Sequence, residues 1–291
     1  MKCFQSWSVF IPLLLSIGYF IWTRIYTKDN YVFHQHFFER DPALSQPYIE
    51  NTYVSNNLLA IFSTCVSESA LLFSLMYFCF STNNKKFMDY FVVTHSGFLT
   101  TLLLNSAITN TLKVIFGVPR PNFYALCNYH GYRDAWSSGN FSEYFMLTEP
   151  GQIGNTDNCL SKSDILDSFL SFPCDYSSLM FASVTYVTLV LAQHKTITTF
   201  SHHLICCLTG CLYVFASWIS ISRVLDYESG VYDILAGCFV GTVIGYMVYK
   251  YVDVLLKSVP GWNKLMHINC EEVQITNDAT DETKLTPVVT V

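Results

Sequence analysis

Three cations near the ends of apolar stretches are the residues whose chemistry is easiest to identify. Lys113 closes one such stretch, Arg120 follows after six intervening residues and precedes Pro121, and Arg223 closes a later stretch directly after Ser222. Arginine binds phosphate through a planar guanidinium fork, and lysine adds a point charge. A single cation of this kind most often extends to a membrane interface. Three of them at helix ends on one side predict a shared anionic ligand.

The composition indicates which class of protein carries these cations. Hydrophobic residues make up 51% of the 291 positions and charged residues 13%, whereas soluble domains average about 25% charged residues. The mean hydropathy is +0.31 and the net charge is −6. These values exclude a disordered chain, a collagenous chain, a coiled coil and a basic nucleic-acid-binding protein. The sequence therefore predicts an integral membrane protein with no nucleic-acid partner.

Six apolar stretches are long enough to cross a bilayer, for which a helix needs about 20 residues. The first ends in bulky side chains from Tyr19 to Trp22 without a small-residue cleavage site, which favours a signal anchor over a cleaved signal peptide. The predicted fold class is all-α, an integral-membrane bundle of six transmembrane helices. Residues 1–255 form the predicted membrane domain, and the polar residues 256–291 form a disordered tail. The six stretches cover residues 3–23, 51–84, 90–112, 176–194, 196–222 and 234–249.

Short-loop lysines predict the orientation of these helices, because cytoplasmic loops are enriched in lysine and arginine. Lys85, Lys86 and Lys195 share one side with the lysines that follow the sixth stretch if the N-terminus is cytoplasmic. Arg24 then falls on the outer side, against the rule. Asn140, in the triplet Asn-Phe-Ser, is a glycosylation acceptor in the outer loop between the third and fourth stretches. Both termini are therefore predicted to be cytoplasmic.

Three segments resemble the motifs of one enzyme superfamily. Residues 113–121 match the pattern K-x6-R-P, and residues 222–233 have the frame of S-R-x5-H-x3-D. Residues 173–176, between these two segments, occupy the place of the pattern P-S-G-H. In chain order K-x6-R-P is the first motif, P-S-G-H the second and S-R-x5-H-x3-D the third. The chain resembles the type-2 phosphatidic acid phosphatase superfamily and, more narrowly, the animal lipid phosphate phosphatases. The segment 37–48 and the acceptor triplet between the first two motifs agree with that resemblance.

The resemblance implies a metal-free and cofactor-free site on the extracytoplasmic face. In that family the lysine and two arginines bind phosphate, and the third-motif histidine is the nucleophile, oriented by the aspartate. The second-motif histidine protonates the leaving alcohol. The implied substrates are phosphatidate, lysophosphatidate, sphingosine-1-phosphate and ceramide-1-phosphate.

The phosphate-binding residues of the family are retained in this chain, whereas the catalytic histidines are not. Tyr176 stands at the general-acid position, Ser229 at the nucleophile position, and Cys174 and Asp175 replace the serine and glycine of the second motif. A serine without a neighbouring base is a poor nucleophile, and a tyrosine is a weak acid near neutral pH. The residues that match the family are Lys113, Arg120, Pro121, Pro173, Ser222, Arg223 and Asp233.

These replacements predict a weakly active or inactive pseudophosphatase that binds lipid phosphates. The alternative is an active phosphatidate phosphatase that uses substitute residues. A transporter or channel unrelated to lipid phosphates would leave Lys113, Arg120 and Arg223 unexplained. The predicted partners are lipid phosphates, the membrane, and further copies or family members in a homo- or hetero-oligomer. The predicted location is the plasma membrane, with the endoplasmic reticulum or Golgi as alternatives.

Two further sequence features lead to structural predictions. Cys127 and Cys159 flank Asn140 on the side that faces an oxidising compartment, where a disulfide can form. Glu68 is an ionisable residue inside the second stretch, and such residues are candidates for function by default. A hydrogen bond that holds two helices together is preferred here over catalysis.

Overall fold

The computed structural model describes residues 3–29, 33–49, 87–193 and 199–258, with a few isolated positions between 61 and 72. In these ranges the regular elements are helices. Two isolated β-bridges also occur. The long helices are α1 (Cys3–Asp29), α2 (Phe87–Phe116), α7 (Asp175–Gln193), α8 (Thr199–Leu225) and α9 (Val231–Lys257). Residues 117–174 connect α2 to α7, and we call them the outer loop after their predicted side of the membrane. Its short helices are α3 (Phe123–Leu126), α4 (Tyr132–Ser138), α5 (Ser142–Leu147) and α6 (Ile165–Ser168).

Four of the described helices are long and apolar enough to cross a membrane, namely α2, α7, α8 and α9. The apolar part of α1, Phe10–Ile25, is shorter. The predicted stretch at 51–84 lies almost entirely outside the described residues, as does the tail from residue 259 onwards. The all-helical membrane fold is thus confirmed, while the number of six spans stays a prediction. Helix α9 continues to Lys257, two residues past the predicted domain limit.

A line of glycines on α9 allows α7 to approach unusually closely. A Cβ atom on Gly237, Gly241 or Gly245 would overlap the backbone carbonyl of Cys174, Ser178 or Ala182, respectively. The four-residue spacing places all three glycines on one helix face, as in other membrane helix pairs that pack through small residues. This contact fixes the N-terminal end of α7 against the N-terminal end of α9.

Helix α2 is held to α7 by hydrogen bonds inside the bundle. The hydroxyl of Ser178 donates to Oδ1 of Asn105 at 2.6 Å, and the hydroxyl of Tyr186 donates to the carbonyl of Thr94 at 2.7 Å. Within a membrane, such bonds satisfy polar groups that lipid cannot. Nδ1 of His95 in α2 lies 3.0 Å from Oε1 of Glu68, a close polar contact between the two side chains. The hydrogen bond predicted for Glu68 stays a prediction, because Nδ1 of His95 makes no hydrogen bond with the described residues.

The outer loop forms a hydrophobic core of its own at the ends of the helices, separate from the packing between the helices. We call it the second core. Phe37 lies at its centre and contacts the rings of Phe123, Tyr129 and Phe169. A disulfide joins Cys127 to Cys159 within this core. The chain segment 33–49 thereby packs onto residues 117–174, although the two lie far apart in sequence. This core holds the start of the outer loop over the ends of α2 and α7.

A buried carboxylate fixes the segment 33–49 in this second core. Glu39 accepts a hydrogen bond from the hydroxyl of Tyr129 at 2.6 Å and another from the backbone N–H of Glu149 at 2.7 Å. Burial, reinforced by the bond to Glu39, raises the pKa of Tyr129 to about 12. The phenol therefore remains a proton donor to Glu39 across the physiological pH range.

The close approach of α7 and α9 gives a matched pair of substitutions. Gly241→Ala should lower the melting temperature of the purified protein in detergent, because the new methyl group overlaps the carbonyl of Ser178. Gly210→Ala in α8 is the control, since nothing lies within 4 Å of its added Cβ. Alanine stabilises a helix interior by roughly 0.5–1 kcal/mol relative to glycine, so this control should be neutral or stabilising. Equal melting temperatures for the two variants would contradict the packing described.

Candidate functional site

The first motif is positioned by a turn that only glycine allows. Lys113 lies in the last turn of α2, and the chain then turns at Gly117, whose φ is +52°. A Cβ there would overlap the carbonyl oxygen of Phe33, which packs against this turn. The backbone N–H of Arg120 donates to the carbonyl of Ser168 at 2.8 Å. These contacts bring Arg120 back beside the end of α2 that carries Lys113.

The second motif is tied to the start of α9 through its backbone. The N–H of Cys174 donates to the carbonyl of Asp233 at 3.0 Å. Pro173 and Cys174 are buried, and neither is among the residues that line the cavity described below. Asp175 and Tyr176 are the first two residues of α7, and both side chains face that cavity.

The three motifs meet around one cavity of about 280 Å³, at the C-terminal end of α2 and the N-terminal end of α7. It contains as many cations as carboxylates. The cations are Arg24, Lys113 and Arg120, and the carboxylates are Asp167, Asp175 and Glu228. The uncharged lining residues are Tyr48, Asn110, Asn122, Leu126, Leu170, Tyr176 and Ser229. In the described ranges, no three His, Cys, Asp or Glu side chains are grouped closely enough to hold a metal ion.

Each of the two motif cations in the cavity pairs with a carboxylate of the chain. Nζ of Lys113 lies 3.1 Å from Oδ1 of Asp175, and Lys113 itself is almost fully buried. Nη2 of Arg120 lies 2.7 Å from Oδ1 of Asp167, whose backbone carbonyl also accepts from Nε of Arg120. The carboxylate of Asp175, at a position where the family resemblance expects glycine, is therefore a counter-ion of Lys113 within the chain.

The role of Arg223 in phosphate binding stays a prediction, because the structure places its side chain outside the lining of the cavity. Its side chain is completely buried and is not among the residues that line the cavity. Its guanidinium pairs with Asp226 at 2.6 Å and with Glu228 at 3.0 Å, and it lies 5.5 Å from the ring centre of Tyr176. A guanidinium enclosed by two carboxylates and an aromatic ring is already neutralised. Arg223 therefore supports the cavity wall formed by Glu228 and Tyr176.

Ser222 and Pro121 directly neighbour Arg223 and Arg120 in the chain, and both make hydrogen bonds within the fold. The hydroxyl of Ser222 donates to the carbonyl of Ile219 at 2.7 Å and lies 3.4 Å from Nε of Arg223. The carbonyl of Pro121 accepts a hydrogen bond from the backbone N–H of Gln46 at 3.1 Å. Pro121 thereby connects the segment 33–49 to the first motif.

Asp233 contacts groups other than Ser229. Its Oδ2 accepts a hydrogen bond from the hydroxyl of Ser171 at 2.5 Å and one from the backbone N–H of Gly230 at 2.8 Å. The second bond satisfies a free donor at the start of α9, as carboxylates in a first helical turn commonly do. The carboxylate thus stabilises the helix start and its junction with the second motif, while Ser229 lies nearby in the cavity wall.

Sequence reasoning missed three charged residues of the cavity. The signal for Arg24 was present, since its predicted place on the outer side disagrees with the charge rule. The structure places Arg24 in the cavity lining, near the end of α1. Glu228 stands directly before Ser229 in the third motif. Asp167 gave no signal, because its contact with Arg120 joins residues 47 positions apart.

The two arginines should respond differently to truncation. Arg223→Ala leaves Asp226 and Glu228 without their cation, and breaking a buried pair in this way costs about 3–5 kcal/mol. Arg120→Ala removes a more exposed pair, for which about 0–1 kcal/mol is typical. Thermal unfolding of the two variants in the same detergent measures the difference. Similar small losses for both would show that Arg223 is not the structural residue described here.

The chain matches known proteins across this site. Residues 94–257 match the family model described as the PAP2 superfamily, and this range contains all three motif segments. Lipid phosphate phosphatase 1 of Arabidopsis thaliana is 27% identical over 210 residues, which are 71% of this chain and 57% of the plant protein. This chain thus spans little more than half of that relative's length.

Two further relatives are covered more fully. Phospholipid phosphatase 2 of Homo sapiens is 26% identical over 242 residues, which are 81% of this chain and 79% of the human protein. The probable diacylglycerol pyrophosphate phosphatase 1 of Schizosaccharomyces pombe is 25% identical over 254 residues, 84% of this chain and 81% of the yeast protein. No solved structure matches the chain.

Proposed function

Because the chain belongs to the PAP2 superfamily, we propose that its cavity binds the phosphate group of a lipid phosphate and hydrolyses it weakly or not at all. One observation carries this proposal. Lys113 and Arg120 line the same cavity as Tyr176 and Ser229, the residues at the two positions where the family resemblance expects histidine. The cavity thus has cations that can bind phosphate, whereas a tyrosine and a serine stand where the family resemblance expects the two catalytic histidines.

The position of the cavity suits the head group of a membrane lipid. It lies at the outer ends of α2 and α7, where the apolar helices meet the polar outer loop. Arginine and lysine at such a junction bind a phosphate through charge-assisted hydrogen bonds. The ligands proposed are phosphatidate, lysophosphatidate and sphingosine-1-phosphate, in agreement with the names of the relatives, which include lipid phosphate and phospholipid phosphatases.

The surroundings of Ser229 support weak or absent hydrolysis. A serine nucleophile needs a base that removes its proton. Among the described residues that line the cavity none is histidine, and Oδ2 of Asp233 accepts from Ser171 and Gly230. Asp175 also forms an ion pair with Lys113. Without that pair, the lysine would be available to stabilise negative charge in a transition state.

An active phosphatidate phosphatase is the second candidate function. The observation that favours it is that the Ser229 and Tyr176 side chains line one cavity, so that a hydroxyl nucleophile and a proton donor face the same space. In this case Ser229 would form the covalent intermediate. The two candidates differ in a measurable quantity, the rate of phosphate release.

We expect the purified protein to release phosphate from phosphatidate at a rate at least about 10³-fold below that of an active family member, because removing a nucleophile or its base commonly costs that much or more. The measurement is phosphate release in mixed micelles. The variant Ser229→His with Tyr176→His tests restoration, with Asp175→Gly added to release Lys113. Robust turnover by the unmodified protein that Ser229→Ala abolishes would establish the second candidate instead.

Binding should depend on the two motif cations of the cavity. Lysophosphatidate should raise the melting temperature of the protein by ligand linkage. Lys113→Ala and Arg120→Ala should each weaken binding about 10- to 150-fold, since a charged hydrogen bond contributes about 1.5–3 kcal/mol. Lys162→Ala is the control, because that exposed lysine of the outer loop does not line the cavity. Equal affinity in all four proteins would contradict the proposed site.

The proposed orientation places the outer loop outside the cytoplasm and both termini inside, with the plasma membrane as the location. Asn140 is exposed, as a glycan acceptor must be. Asn140→Gln should therefore increase electrophoretic mobility after expression in glycosylating cells. Asn155→Gln, an exposed asparagine of the same loop outside any acceptor triplet, should not change it. Unchanged mobility of both variants would count against this orientation. Association with further copies or with family members stays a prediction.

A further inference from the structure

The outer loop contains a cavity of its own, separate from the one that the three motifs surround. It has a volume of about 730 Å³ and lies between α4, α5 and the chain around His130 and Leu160. The two cavities have no lining residue in common. The volume is within the range of roughly 300–1,000 Å³ found for small-molecule sites. We call this cavity the loop pocket, and the proposed function does not use it.

Asn140, the predicted glycan acceptor, lines the loop pocket with its side chain held in place. Its Oδ1 accepts hydrogen bonds from the hydroxyl of Ser142 at 2.7 Å and from the backbone N–H of Ser142 at 3.1 Å. Because the side-chain amide is planar, these bonds to Oδ1 also fix the direction of Nδ2. They leave Nδ2 itself, the atom that carries an N-linked glycan, uninvolved. A glycan attached there starts at the wall of the loop pocket.

The backbone before Asn140 joins the acceptor to one wall of the pocket. Helix α4 ends at Ser138, and Gly139 follows with a φ of +68°, which glycine adopts without strain. The backbone N–H of Asn140 donates to the hydroxyl oxygen of Ser138 at 3.3 Å. That hydroxyl donates in turn to the carbonyl of Asp134 at 2.8 Å. The acceptor is therefore fixed relative to α4, whose residues form this wall.

The lining of the loop pocket offers the two kinds of contact that a sugar ring requires. The hydroxyl and acetamide groups of an N-acetylhexosamine need hydrogen-bond donors and acceptors, and its C–H faces need apolar surface. Carboxylates, a hydroxyl and an imidazole supply the polar partners, and two leucines supply the apolar surface. These side chains are His130, Asp134, Ser137, Glu143, Leu147 and Leu160.

The two leucines are poorly covered by the chain itself. Leu147 is 52% exposed and Leu160 is 64% exposed. A single exposed leucine is common on a protein surface, but these two line the same pocket as the glycan acceptor. A sugar between them would remove apolar surface from water, which is favourable.

We propose that the loop pocket holds the first N-acetylglucosamine of a glycan on Asn140, which makes this sugar a structural part of the outer loop. The inference rests on the proposed orientation, because N-linked glycans are added only on the side away from the cytoplasm. In the modification, Nδ2 loses a proton and bonds to C1 of the sugar, and the lipid pyrophosphate that carried the sugar leaves. The lining side chains then bind the ring by hydrogen bonds and apolar contact.

The bound sugar connects three parts of the outer loop. Asp134 belongs to α4, Leu147 to α5, and Leu160 follows Cys159 of the disulfide. Contacts to all three parts should stabilise the folded loop. They should also shield the bond between Asn140 and the sugar from an enzyme that cleaves it, because cleavage then requires the sugar to leave the pocket.

The rate at which peptide N-glycosidase F releases the glycan from the folded protein measures this shielding. Full-length protein is purified from glycosylating cells in dodecyl maltoside. In the comparison protein, Asn140→Gln with Asp157→Thr moves the acceptor triplet to Asn155, an exposed residue of the same loop outside the pocket. We expect release from Asn140 to be at least about ten-fold slower than from Asn155, because it depends on a minor open form. After denaturation the two rates should be equal.

Substitutions in the pocket should remove the shielding. Leu160→Ala and Glu143→Ala should each speed release from Asn140 several-fold, because each removes a contact with the sugar. Ile153→Ala is the matched control and should leave the rate unchanged, since Ile153 is 61% exposed in the same loop but does not line the pocket.

The melting temperature gives a second measurement. Release of the glycan should lower the melting temperature of the wild-type protein by about 2–4 °C, the shift that a modest loss of folding free energy causes in a large domain. Release from the comparison protein should not change its melting temperature, because the glycan on Asn155 lies outside the pocket.

The possible results separate this inference from the proposals on which it rests. Equally fast release from Asn140 and Asn155, or equal rates in the two pocket variants and the control, would overturn the inference and leave the orientation intact. A glycan on Asn155 but not on Asn140 would do the same. Absence of a glycan from both proteins would overturn the orientation and this inference together. Phosphate binding is tested independently through Lys113 and Arg120.

Discussion

A cation at the buried end of a membrane helix needs an anionic partner, and this constraint shapes the whole site. Arg223 is completely buried in the last turn of α8 and is neutralised by Asp226 and Glu228. Lys113, almost fully buried in the last turn of α2, is paired with Asp175. Charges inside a membrane protein are retained where they are paired or functional. In this chain they are paired by its own carboxylates, which fix where a ligand can act.

The substitutions at the motif positions form a consistent set when considered with these pairs. Tyr176 and Ser229 stand at the two positions where the family resemblance expects histidine, and Asp175 supplies a counter-ion to Lys113. The pseudophosphatase role proposed above needs no free cation to stabilise a transition state.

The sequence was sufficient for the parts of the site that depend on local spacing. It predicted the all-helical membrane fold, and it predicted that Lys113 and Arg120 lie together. Apolar length and a short motif determine both features. The disulfide between Cys127 and Cys159 also follows from a local argument about the compartment, and the structure contains it.

The parts that the sequence did not predict depend on contacts between distant residues. The burial of Arg223 depends on how the loop after α8 folds back, so that Asp226 and Glu228 enclose the guanidinium. Arg24 enters the cavity because α1 continues to Asp29, beyond the predicted end of its apolar stretch. The pairing of Arg120 with Asp167 depends on the second core of the outer loop. None of these contacts has a sequence period or motif that would reveal it.

The most direct test of the account is the location of a phosphate mimic in crystals of the full chain grown with tungstate, whose anomalous scattering marks the anion. The account predicts an anomalous peak within hydrogen-bonding distance of Lys113 and Arg120. It also predicts that Arg223 remains paired with Asp226 and Glu228. A peak on the guanidinium of Arg223, with Asp226 and Glu228 displaced, would contradict the central claim that Arg223 is a structural cation neutralised by the chain itself.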